Sequence, residues 1–119
     1  NDYKPHWVVK KAEEEIQKRF GGREKDITIG ILGLSYKPNI DDLRESPSLE
    51  IALLLKEKGY KVVGCEPNIQ KAEISGIKNL KLDETLNTAD YLILTLAHDE
   101  FREHIDKIME RDMLNIIGL

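Results

Sequence analysis

Ile27-Thr28-Ile29-Gly30-Ile31-Leu32-Gly33-Leu34 is short, β-branched and almost continuously apolar, as a strand covered on both faces is. A long polar stretch follows, and then Ser46-Pro47. That pair marks a helix start, because the serine oxygen can take a backbone N–H of the first turn and proline has no N–H to leave idle there. The helix it opens runs over 49–58 and stops at Gly59. Residues 60–65 read as a second strand and 91–96 as a third, with weaker helical pieces near 69–75 and 83–88. A helix over 99–110 places Phe101, Ile105, Ile108 and Met109 on one face, and a last strand covers 114–117. Strands alternating with helices at this spacing give right-handed crossovers and a parallel sheet with helices on both faces. The expected fold is therefore α/β, a Rossmann-like three-layer sandwich.

Upstream, Val8, Ala12, Ile16 and Phe20 form an i, i+4 apolar stripe between charged residues. They predict a helix over 5–20, opened by Pro5 and ended by Gly21-Gly22. This helix is either an outer-layer element or an appendage. Its narrow stripe leads us to expect weak anchoring, with part of the face seeking a partner such as a second copy.

The chain has 119 residues, room for one core. With 40% apolar and 34% charged residues it is too apolar for a disordered chain, and no apolar run is long enough to cross a membrane. Eighteen basic against 22 acidic residues, with the signs interspersed, leave no footprint for a nucleic acid backbone. The single cysteine, Cys65, rules out an intramolecular disulfide. At the end of a buried strand it reads as a small hydrophobe, not a nucleophile. Together with the lack of a signal pattern at the N-terminus, it points to the cytoplasm. His6, His98 and His104 stand at no metal-ligand spacing, and His98 reads as a loop residue at a helix start. Trp7 and Tyr3 suit an interface.

In open α/β sheets ligands sit beyond the carboxyl ends of the strands, which directs attention to the loop over 34–46. It carries Lys37, a mobile point charge, and Arg44, a planar fork, and it runs into a capped helix N-terminus. Those are the usual means of holding a diphosphate. The competing reading is that the two cations only neutralise Asp41, Asp42 and Glu45 at a solvated surface. Asp41-Asp42, adjacent and with no third ligand nearby, suit orienting Arg44 better than binding a metal. Gly30-x-x-Gly33 falls short of G-x-G-x-x-G, because Tyr36 stands where the third glycine would be. Close helix-on-strand approach explains these two glycines without a dinucleotide.

The run from Gly33 to Pro47, GLSYKPNIDDLRESP, resembles the signature G-L-x-[FY]-K-x-x-x-D-D-x-R-E-S-P of the C-terminal domain of UDP-glucose/GDP-mannose dehydrogenases. Cys65-Glu66-Pro67-Asn68, Ala89-Asp90 and His98-x-Glu100-Phe101 continue the likeness, and the first eight residues resemble the end of the segment joining the family's central domain to this one. The form K-P-N-I-D-D-L-R-E-S-P is most similar to the UDP-N-acetylmannosamine dehydrogenase branch.

The resemblance implies a division at residue 26. Residues 1–26 would be a linker helix from a central domain that is not present, and 27–119 the nucleotide-sugar dehydrogenase C-terminal domain. It implies substrate contact by Lys37, Tyr36 and Arg44, with Arg44 also near the cofactor NAD, and a UDP-sugar as the partner. The NAD would be held mainly by another domain, and the enzyme would oxidise the sugar C6 alcohol to a carboxylate. The family's catalytic-cysteine motif has no match in these residues, so this chain alone is expected to be inactive. Its end, Asn115 to Leu119, also lacks the family's Asp-x-Arg-Gly segment, which suggests a fragment or an eroded product. The alternative is a stand-alone α/β interaction or regulatory module that has lost the nucleotide. Self-association or contact with the remaining dehydrogenase domains is expected.

Overall fold

A computed structural model describes residues 4–36, 39, 43 and 46–117. The central strand is β1 (Thr28–Leu32), flanked in parallel by β2 (Lys61–Cys65) and β5 (Tyr91–Leu94). Beyond β2 lies β4 (Ile77–Asn79), also parallel, and then β3 (Glu73–Ile74), antiparallel. On the other side β6 (Met113–Asn115) pairs in parallel with β5. The order β3-β4-β2-β1-β5-β6 makes the chain work outward from β1 on one side and then cross to the other. A topological switch point, where open sheets form ligand crevices, therefore lies at the carboxyl end of β1.

Helices cover both faces. On one, α1 (Pro5–Phe20) and α2 (Pro47–Glu57) close a core with Ile29, Ile31 and Ile93. On the other, α3 (Leu82–Thr88), α4 (Asp99–Glu103) and α5 (Ile105–Met109) close a smaller core around Leu32, Leu92 and Phe101. This is the expected three-layer α/β fold, its sheet mixed only at one edge. None of the described helices is long and apolar enough to cross a membrane.

Three expectations need correction. The piece near 69–75 is not helical and its second half opens a hairpin. Ile74 pairs with Ile77 across Ser75-Gly76, whose φ values of 51° and 84° suit a two-residue turn matched to strand twist. Asn79 prevents a helix before it, its amide donating to the carbonyls of Ile69 (3.0 Å) and Lys71 (2.9 Å). The helix over 99–110 is divided at His104, whose φ of −117° leaves the helical range. Weak anchoring of the first helix is also overturned. Val8, Val9, Ala12 and Ile16 are at most 3% exposed and belong to the main core, so α1 is an outer-layer helix.

Among the described residues, the Tyr91 hydroxyl is a buried side-chain oxygen with no hydrogen-bond partner. An unmet polar group costs its desolvation, so Tyr91→Phe is expected to leave stability unchanged or raise it by about 1 kcal/mol. Chemical denaturation checks this.

Candidate functional site

The loop leaving β1 is tied down at both ends. Gly33 turns it with φ of 107°, and a Cβ there would meet Leu96 Cβ and Thr95 Oγ1, each at 2.9 Å. Thr95, just past β5, has its hydroxyl 2.9 Å from the Leu32 carbonyl and 2.7 Å from that of Gly33. At the far end Ser46 caps α2 as expected, its Oγ accepting from Leu49 N–H at 3.1 Å. The same oxygen lies 2.7 Å from the carbonyl of Leu34 and 3.0 Å from that of Ser35, within reach of its O–H. The serine read as a helix cap thus also joins the loop's exit to its entry.

Between these points two buried groups grip the loop's backbone. Glu66, directly after β2, accepts the N–H groups of Leu34 (2.8 Å) and Ser35 (2.9 Å) on Oε1 and that of Asn68 (3.1 Å) on Oε2. His98, at the start of α4, has Nε2 3.0 Å from the same Oε1, with both side chains at most 1% exposed. The Asn39 N–H points at His98 Nδ1 from 2.7 Å. Nδ1 is therefore the accepting nitrogen, and Nε2 carries the hydrogen given to Glu66. Asn39, held at φ of 62°, also reaches Asp99. Its Oδ1 accepts the Asp99 N–H at 2.9 Å and its Nδ2 donates to Asp99 Oδ1 at 3.1 Å.

Burial by itself would push the Glu66 carboxyl up. Donation from His98 and from the Leu34 and Asn68 N–H groups outweighs it and holds the group below the ordinary carboxylate range. Three of the four donors share Oε1 and one meets Oε2.

Of the residues singled out in the sequence, Tyr36 lies at this carboxyl end, 38% exposed. Lys37, Arg44, Asp41, Asp42 and Glu45 lie outside the described residues. Their neighbours in the chain, Tyr36, Asn39, Leu43 and Ser46, are placed, with Leu43 packed against the main core. The resemblance includes Glu66 without a role, and His98, expected as a loop residue at a helix start, does stand at the N-cap of α4.

The described residues do not form a dinucleotide cradle. A Cβ on Gly30 would lie 2.9–3.0 Å from Ala89, Leu92 and Thr85, so that glycine admits α3, as expected of close helix-on-strand packing. Gly33 instead admits the end of the neighbouring strand. In a dinucleotide site an acidic side chain takes the ribose hydroxyls, but the acid following β2 here is spent on the protein's own N–H groups. Cys65 is 1% exposed, and burial pushes its thiol up to about 12, far from a reactive thiolate. A cavity of about 580 Å³ lies beside Glu66, lined among others by Gln70, Lys81 and His104.

Residues 30–116 match the family described as UDP-glucose/GDP-mannose dehydrogenase family, UDP binding domain. The chain is 39% identical over 110 residues to the UDP-N-acetyl-D-mannosamine dehydrogenase of Escherichia coli K12, covering 86% of this chain and 26% of that protein. It is 33% identical to the NDP-N-acetyl-D-galactosaminuronic acid dehydrogenase of Ralstonia solanacearum, across 100% of this chain and 28% of that one. The chain thus spans about a quarter of the length of the curated relatives it matches. Among solved structures, a ternary complex of GDP-mannose dehydrogenase from Pseudomonas aeruginosa superposes with a TM-score of 0.70 at 28% identity, covering 92% of this chain and 28% of that one. A UDP-N-acetyl-mannosamine-type dehydrogenase from Pyrococcus horikoshii shares the fold, with a TM-score of 0.74 at 22% identity over 93% and 26% of the two chains. With this match over most of its length, the chain belongs to the UDP-glucose/GDP-mannose dehydrogenase family, of which it carries the UDP-binding domain.

Proposed function

We propose that this chain is the substrate-covering part of an NAD-dependent nucleotide-sugar 6-dehydrogenase, which oxidises the sugar C6 alcohol to a carboxylate. Its loop over 34–46 holds the diphosphate of a UDP-sugar. The observation that carries this reading is the bracing of that loop at the carboxyl end of β1 by Glu66, His98 and Ser46. The bracing supports the reading because the segment that carries Lys37 and Arg44 leaves the sheet at the end where α/β folds take ligands. Lys37 supplies a point charge to the phosphates, Arg44 a planar fork between substrate and cofactor, and Tyr36 a neighbouring contact.

NAD accepts the hydride and is held mainly by a part of the enzyme outside this chain, in keeping with the filled glycine positions and spent carboxylate described above. Residues 1–26 lead in from a preceding helical domain. A second copy or the remaining enzyme domains complete the assembly, and the address is cytoplasmic.

Calorimetry with UDP at low salt tests the site. Lys37→Ala and Arg44→Ala are each expected to cost about 1.5–3 kcal/mol of binding, the range for hydrogen bonds to charged groups. Arg44→Lys should recover little, because the fork is lost. Unchanged affinity in both alanine variants overturns the reading. The chain alone should form no NADH from UDP- or GDP-sugars; turnover that survives repurification would contradict it.

A further inference from the structure

Resting on that reading, we infer that Asn39 is a positioning residue for nucleotide binding, acting through its pairing with Asp99 and His98. The loop is fastened on both sides of positions 37 and 38. Before them, the N–H groups of Leu34 and Ser35 are spent on Glu66. After them, Asn39 gives its N–H to His98 and exchanges two further bonds with Asp99. His98 links the two grips, since one ring nitrogen meets Glu66 and the other faces Asn39.

The chain of contacts thus runs from the end of β2 through the start of α4 and back to the loop. It crosses the carboxyl end of β1. Asn39 suits the task because asparagine tolerates the left-handed backbone it adopts, at φ of 62°. Its amide also supplies both an acceptor for the Asp99 N–H and a donor for the Asp99 carboxylate. Lys37, to which the proposed function gives the phosphates, stands two residues before this anchor in the chain.

Glu66 and His98 are buried, and their removal threatens the fold, so the test uses the exposed end of the chain of contacts. UDP is titrated by calorimetry into the wild-type chain and into Asn39→Gly, Asn39→Asp, Asn39→Asp with Asp99→Asn, and Lys37→Ala. Asn39→Gly keeps the backbone conformation and removes the paired amide without adding charge. Asn39→Asp places two carboxylates together, and adding Asp99→Asn restores an amide opposite a carboxylate with the donor and acceptor exchanged.

The two Asn39 single variants are expected to weaken UDP binding about five- to tenfold, in line with losing one or two hydrogen bonds. The double variant should return to within about twofold of wild type. Melting temperatures should move little throughout, since exposed pairs contribute little to stability. Weakened binding at an unchanged melting temperature, recovered in the double variant, is a result that a merely structural role would not give. Undiminished affinity in Asn39→Gly, or a double variant as weak as Asn39→Asp, overturns the positioning role while the site stands. Wild-type binding that Lys37→Ala leaves unchanged, or no wild-type binding at all, overturns the nucleotide-covering reading itself.

Discussion

Glu66→Ala is expected to lower stability by about 3–5 kcal/mol, the range for removing one partner of a buried charged pair. Four donors lose their acceptor together: the N–H groups of Leu34, Ser35 and Asn68, and His98 Nε2. The cost is high because both side chains are at most 1% exposed, so water cannot readily take the carboxylate's place. For a domain of this size the loss corresponds to a fall in Tm of roughly 10–20 °C. Glu66→Gln should cost less, because one oxygen remains for the loop. Its NH2 would then face the Asn68 N–H, donor against donor.

The pH dependence follows from the same contacts. The folded carboxyl titrates below its ordinary value of 4.5, so between the two values the unfolded chain binds more protons. The stabilisation is therefore complete above about pH 4.5 and is lost as pH falls through the folded value. Thermal melts from pH 7 to 3 should show wild type losing stability more steeply than Glu66→Gln below pH 4.5. Equal slopes, or a Glu66→Ala Tm within 2 °C of wild type, would falsify the anchoring role.

What the sequence could reveal depended on how far each signal reached along the chain. β1 was legible because its apolar run is continuous, and the start of α2 because Ser46-Pro47 is a local device. Gly59 marked the end of that helix through the positive φ it adopts, 97°. The hairpin at 73–79 was missed although Ser75-Gly76 between two isoleucines is a turn signal. Two-residue strands carry too little alternation to compete with a helical reading, and β3 and β4 hold only through pairing with each other and with β2.

The Glu66–His98 pair joins positions 32 residues apart, and Asn39 meets His98 across 59. No local pattern encodes such contacts. A topological argument could have found them. Once β2 and β5 are placed on either side of β1, the residues just past those two strands must converge over the point where the loop departs. A carboxylate and an imidazole standing there are then candidates to hold it.

Ile16→Ala is expected to cost about 2–4 kcal/mol and to lower the stability of the whole chain in a single transition, because α1 is part of the main core. Ile16 is 0% exposed and packs with Val8, Val9 and Ala12 in the cluster that holds Ile29, Ile31 and Tyr91. Truncating a fully buried isoleucine removes transfer free energy and leaves a cavity, together about 2–5 kcal/mol. Alanine's better helix propensity returns about 0.5 kcal/mol, too little to change the sign. The polar contacts of α1 cannot substitute. Arg19 with Asp112 (2.7 Å) and Lys58 with Glu13 (3.6 Å) are partly exposed pairs, each worth at most about 1 kcal/mol. Tyr60 adds one more bond, its hydroxyl 3.0 Å from Glu13 Oε2. Trp7, 56% exposed on the other side of the helix, serves as the control: Trp7→Ala should change stability by less than about 0.5 kcal/mol, as surface substitutions do. Denaturant titration gives the two values, and hydrogen exchange should show α1 amides protected as strongly as those of β1. An Ile16→Ala cost below 0.5 kcal/mol, or exchange of α1 well ahead of β1, would show that the helix only rests on the domain and that the chain divides physically near residue 26.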